Sequence, residues 1–253
     1  MRAKLGQNFL TDESVLDFEA ESADVSGKSV LEIGAGDGRL TRRLLRHKAG
    51  HITAVEVDPK LAKLLRMAFH YRVSVLEADI LSFDESRRFN CIVGNIPYYI
   101  TSPILLKLSR MDFGKAVLCV QKEVAERMVA PAGSRNYGRL SVFCQLAFAI
   151  EPLAIVPREA FTPKPKVDSA VISISKTGLS LSSGEDSAIG AIFSHKKKSL
   201  RNAVVDSRKA LFGGLDKQAA LSIAQSLKYS ERKVFTLTPA EALEAARELL
   251  SKK

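Results

Sequence analysis

The sequence predicts an α/β domain built on a parallel sheet, followed by a small basic domain of helices. Three observations carry this. From Lys28 to about Asn95, short β-rich runs alternate with one-sided helical stretches, the pattern of a sheet covered by helices on both faces. A small, polar segment, KTGLSLSSGED at 176–186, then reads as a linker, and only helical periodicity follows it. The charge divides at the same place: residues 187–253 carry 13 Lys/Arg against 6 Asp/Glu, whereas residues 1–186 carry 25 against 22. The expected domains are therefore residues 1–178 and 187–253.

Taken in order, the predicted strands are 29–33 (SVLEI), 52–57 (ITAVEV), 73–78 (VSVLEA), 90–95 (NCIVGN) and 116–121 (AVLCVQ). Between them, Leu40, Leu44 and Leu45, then Leu61, Leu64, Leu65 and Ala68, recur at the i, i+3, i+4 spacing of amphipathic helices. Leu140, Phe143, Cys144 and Ala147 favour a helix, and PLAIVP and SAVISI read as a closing pair of strands. Near the C-terminus, Thr238, Pro239 and Glu241 have the spacing of a capping box with proline at the first helical position.

Composition narrows the class. Hydrophobic residues at 46% and charged residues at 26% argue against disorder. No apolar run approaches the roughly 18–20 residues of a membrane span. The first residues lack the apolar core of a cleaved signal peptide, so a cytoplasmic protein without membrane association is expected. Cys91, Cys119 and Cys144 lie in apolar runs without CxxC spacing, as buried small hydrophobes of a reducing compartment do. The four histidines are scattered, and no metal site is expected. A net charge of +10 suggests a polyanionic partner without identifying it.

The strand at 29–33 runs into Gly34-Ala35-Gly36-Asp37-Gly38 and then a helix. Glycines there allow a tight turn and close approach of backbone N–H groups to a ligand, although tight strand-to-helix turns use glycine without one. The spacing E-x-G-x-G-x-G, with Glu32 before the first glycine, departs from the dinucleotide fingerprint. An acid at that point suits a cationic amino-acid end better than a pyrophosphate. Glu56, twenty residues beyond Gly36, is placed for ribose hydroxyls, and Asp79 with the Ile80 amide suits an aminated ring. Each acid alone also reads as a solvated strand-end charge. Together, at three successive strand ends, they imply S-adenosylmethionine, with S-adenosylhomocysteine as product.

The next strand ends in Asn95-Ile96-Pro97-Tyr98. Asn and Pro there also make an ordinary turn signal. Beside a methyl donor they have a specific use, because an aromatic amine is a poor nucleophile while its lone pair is delocalised. Acceptors at the Asn95 side chain and the Ile96–Pro97 carbonyls would draw its hydrogens and turn that lone pair outward. Pro97 stiffens the turn, and Tyr98 offers a face to an unstacked base. Positioning and electrostatics then suffice, with no strong general base.

These residues resemble the small-subunit ribosomal RNA adenine dimethyltransferases (the KsgA type). The resemblance rests on Lys4-Leu-Gly-Gln-Asn-Phe-Leu10, Glu32 to Gly38, Glu56-Val-Asp58, Ala78-Asp79-Ile80, Asn95 to Tyr98, Tyr137-Gly-Arg-Leu-Ser141, Phe161 to Val171 and Leu200-Arg-Asn202, and so spans nearly the whole chain. It implies a class I S-adenosylmethionine-dependent methyltransferase with a Rossmann-like, mostly parallel seven-stranded sheet and an all-helical C-terminal domain. Its implied activity is dimethylation of N6 on two adjacent adenines near the 3′ end of small-subunit RNA, in an immature subunit, by a monomer. A binding-only checkpoint role in assembly is compatible with it.

By the resemblance, Asn8 and Leu10 close over the cofactor, Gly34 and Gly36 pass beneath it, Glu56 holds the ribose and Asp79 and Ile80 read its adenine. Asn95 and Tyr98 hold the target, with Phe161 as a second wall. The basic run Lys196-Lys197-Lys198 with Arg201 and Arg208, and secondarily Arg135 and Arg139, becomes a phosphate-binding patch; without RNA it is a solvated helix face. The segments Tyr98 to Pro103 and Glu126-Arg-Met-Val129 are nearer archaeal members, and Leu237-Thr-Pro-Ala-Glu241 departs from the expected Arg-Pro-Glu. The related large-subunit adenine methyltransferases of macrolide resistance share the cofactor motifs, but the Tyr137–Ser141 and Phe161–Val171 stretches favour the small subunit. An assembly factor without catalysis and a nicotinamide dehydrogenase are the alternatives of other classes.

Overall fold

The computed structural model describes residues 8–252, so Lys4–Gln7 of the N-terminal motif lie outside the described residues. The chain divides into two compact units. The first comprises the described residues up to Ala125 together with Phe148–Lys176, and the second comprises Glu126–Ala147 with Thr177 onward.

In the first unit, β1 (Phe9–Leu10) and α1 (Glu13–Ser22) precede the alternating core of β2 (Ser29–Ile33), α2 (Arg39–Arg46), β3 (His51–Glu56), α3 (Pro59–Phe69), β4 (Val73–Glu77), β5 (Phe89–Asn95), α4 (Thr101–Arg110) and β6 (Phe113–Gln121). β7 (Phe148–Val156), β8 (Phe161–Thr162) and β9 (Ser169–Lys176) complete it. Seven strands form one sheet in the order β4-β3-β2-β5-β6-β9-β7. β9 runs antiparallel to both its neighbours, while the pairs from β4 to β6 are parallel. The mostly parallel seven-stranded sheet that the resemblance implies is therefore present. β2 has β3 on one side and β5 on the other, so the strand order reverses between β2 and β5, and ligands of open α/β sheets bind outside the strand ends at such a point.

Helix formation follows local chemistry. Asp12 caps α1 by accepting from the Ser14 and Val15 amides, and Asp58 caps α3 ahead of Pro59. One face of the sheet is covered by Leu16 and Ala20 of α1, Leu40 and Leu44 of α2, and Leu65 and Phe69 of α3, which join one apolar cluster with Val30, Val93 and Val117.

The second unit holds α5 (Lys122–Met128) from Glu126, α6 (Arg139–Ala147), α7 (Ser183–Phe193), α8 (Leu200–Asp206), α9 (Arg208–Phe212), α10 (Lys217–Gln225) and α11 (Pro239–Leu250). This corrects the expected boundary, because residues 126–147 belong with the C-terminal helices and not with the sheet. The reason is burial: Val142 and Leu146 of α6 share a core with Ile189, Ile192, Leu243 and Leu249, and the buried Tyr137 hydroxyl donates to the Leu237 carbonyl at 2.7 Å. The linker is also shorter than 176–186. β9 extends to Lys176, and α7 starts at Ser183 with a capping box between Ser182 and Glu185. That signal has the same spacing as the Thr238–Glu241 box of α11 but lies inside a Ser/Gly-rich run.

Candidate functional site

A cavity of about 340 Å³ opens at the C-terminal ends of β2, β3, β4 and β5, all within the first unit. It is within the size range of small-molecule sites. β2 delivers the glycine turn to it. Gly36 has φ +58°, which L side chains rarely adopt, and a Cβ there would stand 3.1 Å from the Phe9 ring, which would have to shift to admit it. Gly38 serves as the α2 N-cap in the left-handed region, without any side-chain cap.

Three acids serve this turn in different ways. The Glu56 carboxylate is buried and already engaged: Oε2 accepts from the Gly36 amide at 2.8 Å and Oε1 from the Asp58 amide at 2.9 Å. It ties the turn to the end of β3 and keeps lone pairs for a further donor. Asp79 is exposed, with Oδ1 accepting from the Leu81 amide at 2.9 Å and Oδ2 available, while Ile80 beside it is buried. Glu32 is buried; Thr41 donates to its Oε2 at 2.7 Å, but Oε1 has no partner. Burial, with smaller help from Glu56 and Asp37, pushes the Glu32 pKa up to about 8. A cation reaching Oε1 would favour the ionised form again.

The other half of the cavity is formed at β5 and β6. Asn95 ends β5 opposite Cys119, and its buried Oδ1 has no hydrogen-bond partner. The Ile96 amide donates to the Cys119 carbonyl at 3.0 Å, which fixes where the turn leaves the sheet. Pro97 has φ −58°, and Tyr98 follows with its hydroxyl 2.8 Å from the Ser169 hydroxyl. That bond anchors the ring by its tip and leaves the aromatic body at the cavity.

Cover comes from a strand pair that no local pattern announced. β1 pairs antiparallel with β8, placing Phe9 opposite Thr162 and Leu10 opposite Phe161. The Thr11 amide donates to the Ala160 carbonyl at 2.8 Å. Asn8, Leu10 and Phe161 thereby reach the same cavity as Glu32, Gly34, Gly36, Glu56, Asp79, Ile80 and the Asn95–Tyr98 turn. Sequence reasoning missed Phe9, Cys119 and Tyr99, which also line it. Cys119 is buried as expected, but at the cavity.

The residues fit a cofactor with a cationic tail, a ribose and an aminated ring. The unpartnered Glu32 oxygen, the Glu56 carboxylate beside the glycine turn, and Asp79 with Ile80 suit those three parts in order. Among the described residues no group of His, Cys, Asp and Glu is arranged to hold a metal ion, and no helix is long and apolar enough to cross a membrane.

The expected phosphate-binding residues all lie in the second unit, where several are already engaged. Lys196 Nζ donates to the Tyr137 and Arg135 carbonyls at 2.6 and 3.2 Å, so this ammonium braces a loop. Arg139 pairs with Asp186, Lys198 with Asp206 and Arg201 with Glu231. Arg208 donates to the Val205 carbonyl. Lys197 and Arg135 present exposed side chains.

A family model described as "Ribosomal RNA adenine dimethylase" matches residues 1–232. A probable ribosomal RNA small subunit methyltransferase A of Thermococcus onnurineus is 40% identical over 247 residues, covering 95% of this chain and 89% of the relative. The protein of the same name from Methanothermobacter thermautotrophicus is 37% identical, with 98% and 91% covered. Among solved structures, a dimethyladenosine transferase from Plasmodium falciparum is similar at TM-score 0.79 and 28% identity, covering 96% of this chain and 98% of that one. The 23S rRNA methyltransferase ErmE is similar at TM-score 0.66 and 29% identity, covering 96% and 99%.

Proposed function

We infer the activity of this chain from its family: it belongs to the ribosomal RNA adenine dimethylase family, and archaeal relatives that match along most of its length are named for the small subunit. Its substrate is small-subunit ribosomal RNA in an immature subunit. Its reaction is transfer of methyl groups from S-adenosylmethionine to N6 of two adjacent adenines near the 3′ end. The observation that carries this reading is the single cavity holding both the strand-end acids and the Asn95–Tyr98 turn.

The cofactor supplies a methyl group on a positively charged sulfur, which leaves as a neutral thioether. Glu32, Glu56 and Asp79 bind its amino-acid end, ribose and ring. Asn95 Oδ1, unpartnered inside the protein, accepts one amine hydrogen of the target, and a backbone carbonyl of the Ile96–Pro97 turn accepts the other. The amine nitrogen then keeps its lone pair for the new N–C bond, and the proton it loses afterwards needs no strong base. Tyr98, anchored at Ser169, and Phe161 flank the extruded base; each aromatic stack contributes on the order of 1–3 kcal/mol.

The basic second unit grips RNA backbone through Lys197, Arg135 and the exposed members of its ion pairs, which exchange a carboxylate for a phosphate at modest cost, since surface pairs are worth about 0–1 kcal/mol. The protein works as a monomer in the cytoplasm, and its hold on immature subunits can outlast the chemistry as an assembly checkpoint.

The test is transfer of labelled methyl groups to small subunits from a strain lacking this protein, beside naked large-subunit RNA. Dimethyladenine mapped at two adjacent positions near the 3′ end of small-subunit RNA is expected. Labelling of the large-subunit RNA alone would replace this reading with the activity named for ErmE.

A further inference from the structure

The near-balance of charge over residues 1–186 conceals a segregation. Residues 39–72, which hold α2, β3 and α3, carry nine Lys/Arg and two Asp/Glu, whereas the rest of residues 1–186 carries 16 and 20. Neither acid neutralises the surface there. Glu56 is buried on the Gly36 and Asp58 amides, and Asp58 caps α3 through the Lys60 amide.

The fold sets these cations side by side. α2 and α3 bury Leu40, Leu44, Leu65 and Phe69 in one apolar cluster, and a Cβ on Gly38 at the start of α2 would stand 2.7 Å from the Phe69 ring. The Arg42 guanidinium crosses from α2 to lie 5.6 Å from the centroid of that ring. Three of the nine cations are engaged: Arg39 pairs with Asp37, Arg66 with Glu77, and Arg43 is buried on Glu13 and Asp17. The other six, Arg42, Arg46, Lys48, Lys60, Lys63 and Arg72, are exposed and close no ion pair among the described residues. Lys60 begins α3 at the cofactor edge of the sheet, and Arg72 stands at the opposite edge, just before β4; the helix between them is about 16 Å long.

Like charges gathered on one surface repel and release counter-ions when a phosphate backbone takes their place. Tyr71, 95% exposed in the turn His70–Arg72, adds a protruding aromatic face, and cations with an aromatic platform are how single-stranded nucleic acid is held. Leu64 and Met67 are exposed on α3 as well, but the core of a protein interface is depleted of Lys, so the density of ammonium groups favours RNA over an acidic protein.

We propose that the α2–α3 face of the first unit is an RNA-binding surface of its own, in which the six unpaired cations follow a phosphate backbone along α3 and Tyr71 stacks on an unpaired base. This inference rests on the function proposed above and gives the first unit a hold on its substrate outside the cavity.

The test compares wild type with Lys60→Gln/Lys63→Gln/Arg72→Gln, which keeps good helix formers on α3, and with the charge-keeping Lys60→Arg/Lys63→Arg/Arg72→Lys. A third variant, Arg87→Gln/Arg88→Gln/Arg110→Gln, removes equal charge elsewhere on the first unit. Filter retention of unmethylated small subunits and of protein-free small-subunit RNA is measured against salt, with single-turnover transfer at saturating subunits and melting temperature. The Gln variant of α3 is expected to lower the slope of log affinity on log salt by about 2 and to bind both substrates at least about tenfold more weakly near 0.1 M salt. Its melting temperature is kept and its saturated transfer stays within about twofold of wild type. The charge-keeping variant binds as wild type does. Tyr71→Ala weakens binding at least about fivefold, and Tyr71→Phe does not.

Wild-type affinity in the Gln variant of α3 overturns the proposal, as does an equal loss in the Arg87/Arg88/Arg110 variant, which would report net charge alone. A loss on subunits that is absent on protein-free RNA would assign the face to an acidic ribosomal protein and overturn it too. So would a loss shared by the charge-keeping variant with a lower melting temperature in both, the sign of a folding defect. Tyr71→Ala binding as tightly as wild type overturns the stacking. Transfer by wild type to large-subunit RNA alone overturns the proposed function instead, and the same variants read on that RNA then decide this inference separately.

Discussion

The two units differ in how many of their buried polar groups lack partners. In the first unit, Glu19 and Glu32 are buried and Asn95 is half-buried, each with a buried oxygen that lacks a partner, and Glu32 and Asn95 line the cavity. In the second, Ser134 Oγ is the one such oxygen among the described residues, and charges close on one another, as in Arg139–Asp186, Arg201–Glu231 and Arg247–Glu185. Unmet hydrogen-bonding capacity in a core lowers stability, and the two such oxygens at the cavity, Glu32 Oε1 and Asn95 Oδ1, are ones that a ligand of the proposed kind would satisfy. Satisfied surface pairs cost little to make or exchange, which suits a surface that meets a polyanion. On the proposed function, the contrast separates chemistry from grip.

The sharpest break of that contrast is Asn95→Ala. Transfer should fall by on the order of 10²–10³, the usual effect of deleting one stabilising polar group at a reacting centre, with subunit binding by filter retention largely intact. Equal loss of both would place Asn95 in the grip. Next comes Glu56→Ala, which removes the acceptor of the Gly36 and Asp58 amides together with the proposed ribose contact. Calorimetry should show S-adenosylhomocysteine binding weakened by about 1.5–3 kcal/mol.

Stability against pH sharpens the comparison further. Glu19 and Glu32 have pKa values of about 8 in the folded chain, against 4.5 for an ordinary Glu. Below that lower value both folded and unfolded chains are protonated, and these groups contribute no pH dependence. As pH rises toward 8, the unfolded chain loses protons that the folded one keeps, so stability falls by at most about 1.4 kcal/mol per pH unit for each group. Thermal melts of Glu19→Gln from pH 5 to 8 should therefore decline less steeply than those of wild type. The second unit, whose carboxylates are held low by paired Lys and Arg, as Glu185 is by Arg247 and Asp206 by Lys198, should not share that decline.

Smaller effects belong to the second unit. Lys197→Ala should reduce the salt dependence of subunit binding by roughly one phosphate contact without changing single-turnover transfer. Lys196→Ala should instead loosen the loop at Arg135–Tyr137 that it braces, lowering the melting temperature. Thr238→Ala removes the α11 cap and should cost about 1 kcal/mol of stability, with transfer unchanged.

Much of the site was legible because its signals are local. The turn from Glu32 to Gly38, the acids at strand ends and the Asn95–Tyr98 turn are each contained in a few residues, and the alternation of strands and helices places them at one sheet edge. The capping box at Thr238 was legible for the same reason. The one at Ser182 was equally local but lay within a run of the small polar residues that also make linkers.

What tertiary structure decided is non-local. That β1 pairs with β8, some 150 residues away, is what carries Asn8 and Phe161 into one cavity; two strands of two residues each have no periodicity to read. That α6 joins the C-terminal helices depended on which apolar face lay opposite Val142 and Leu146, and an amphipathic stripe states that a face is buried without stating against what. The net charge foretold an anionic partner, but only the folded chain distinguishes Lys196, bonded to backbone, from the exposed Lys197. Glu19, one acid of a surface-like helix sequence, drew no notice in the chain. Sequence determined which chemistry is present, because that resides in residue types at short spacing; folding decided which groups meet, because contact is set by burial and register between segments far apart in the chain.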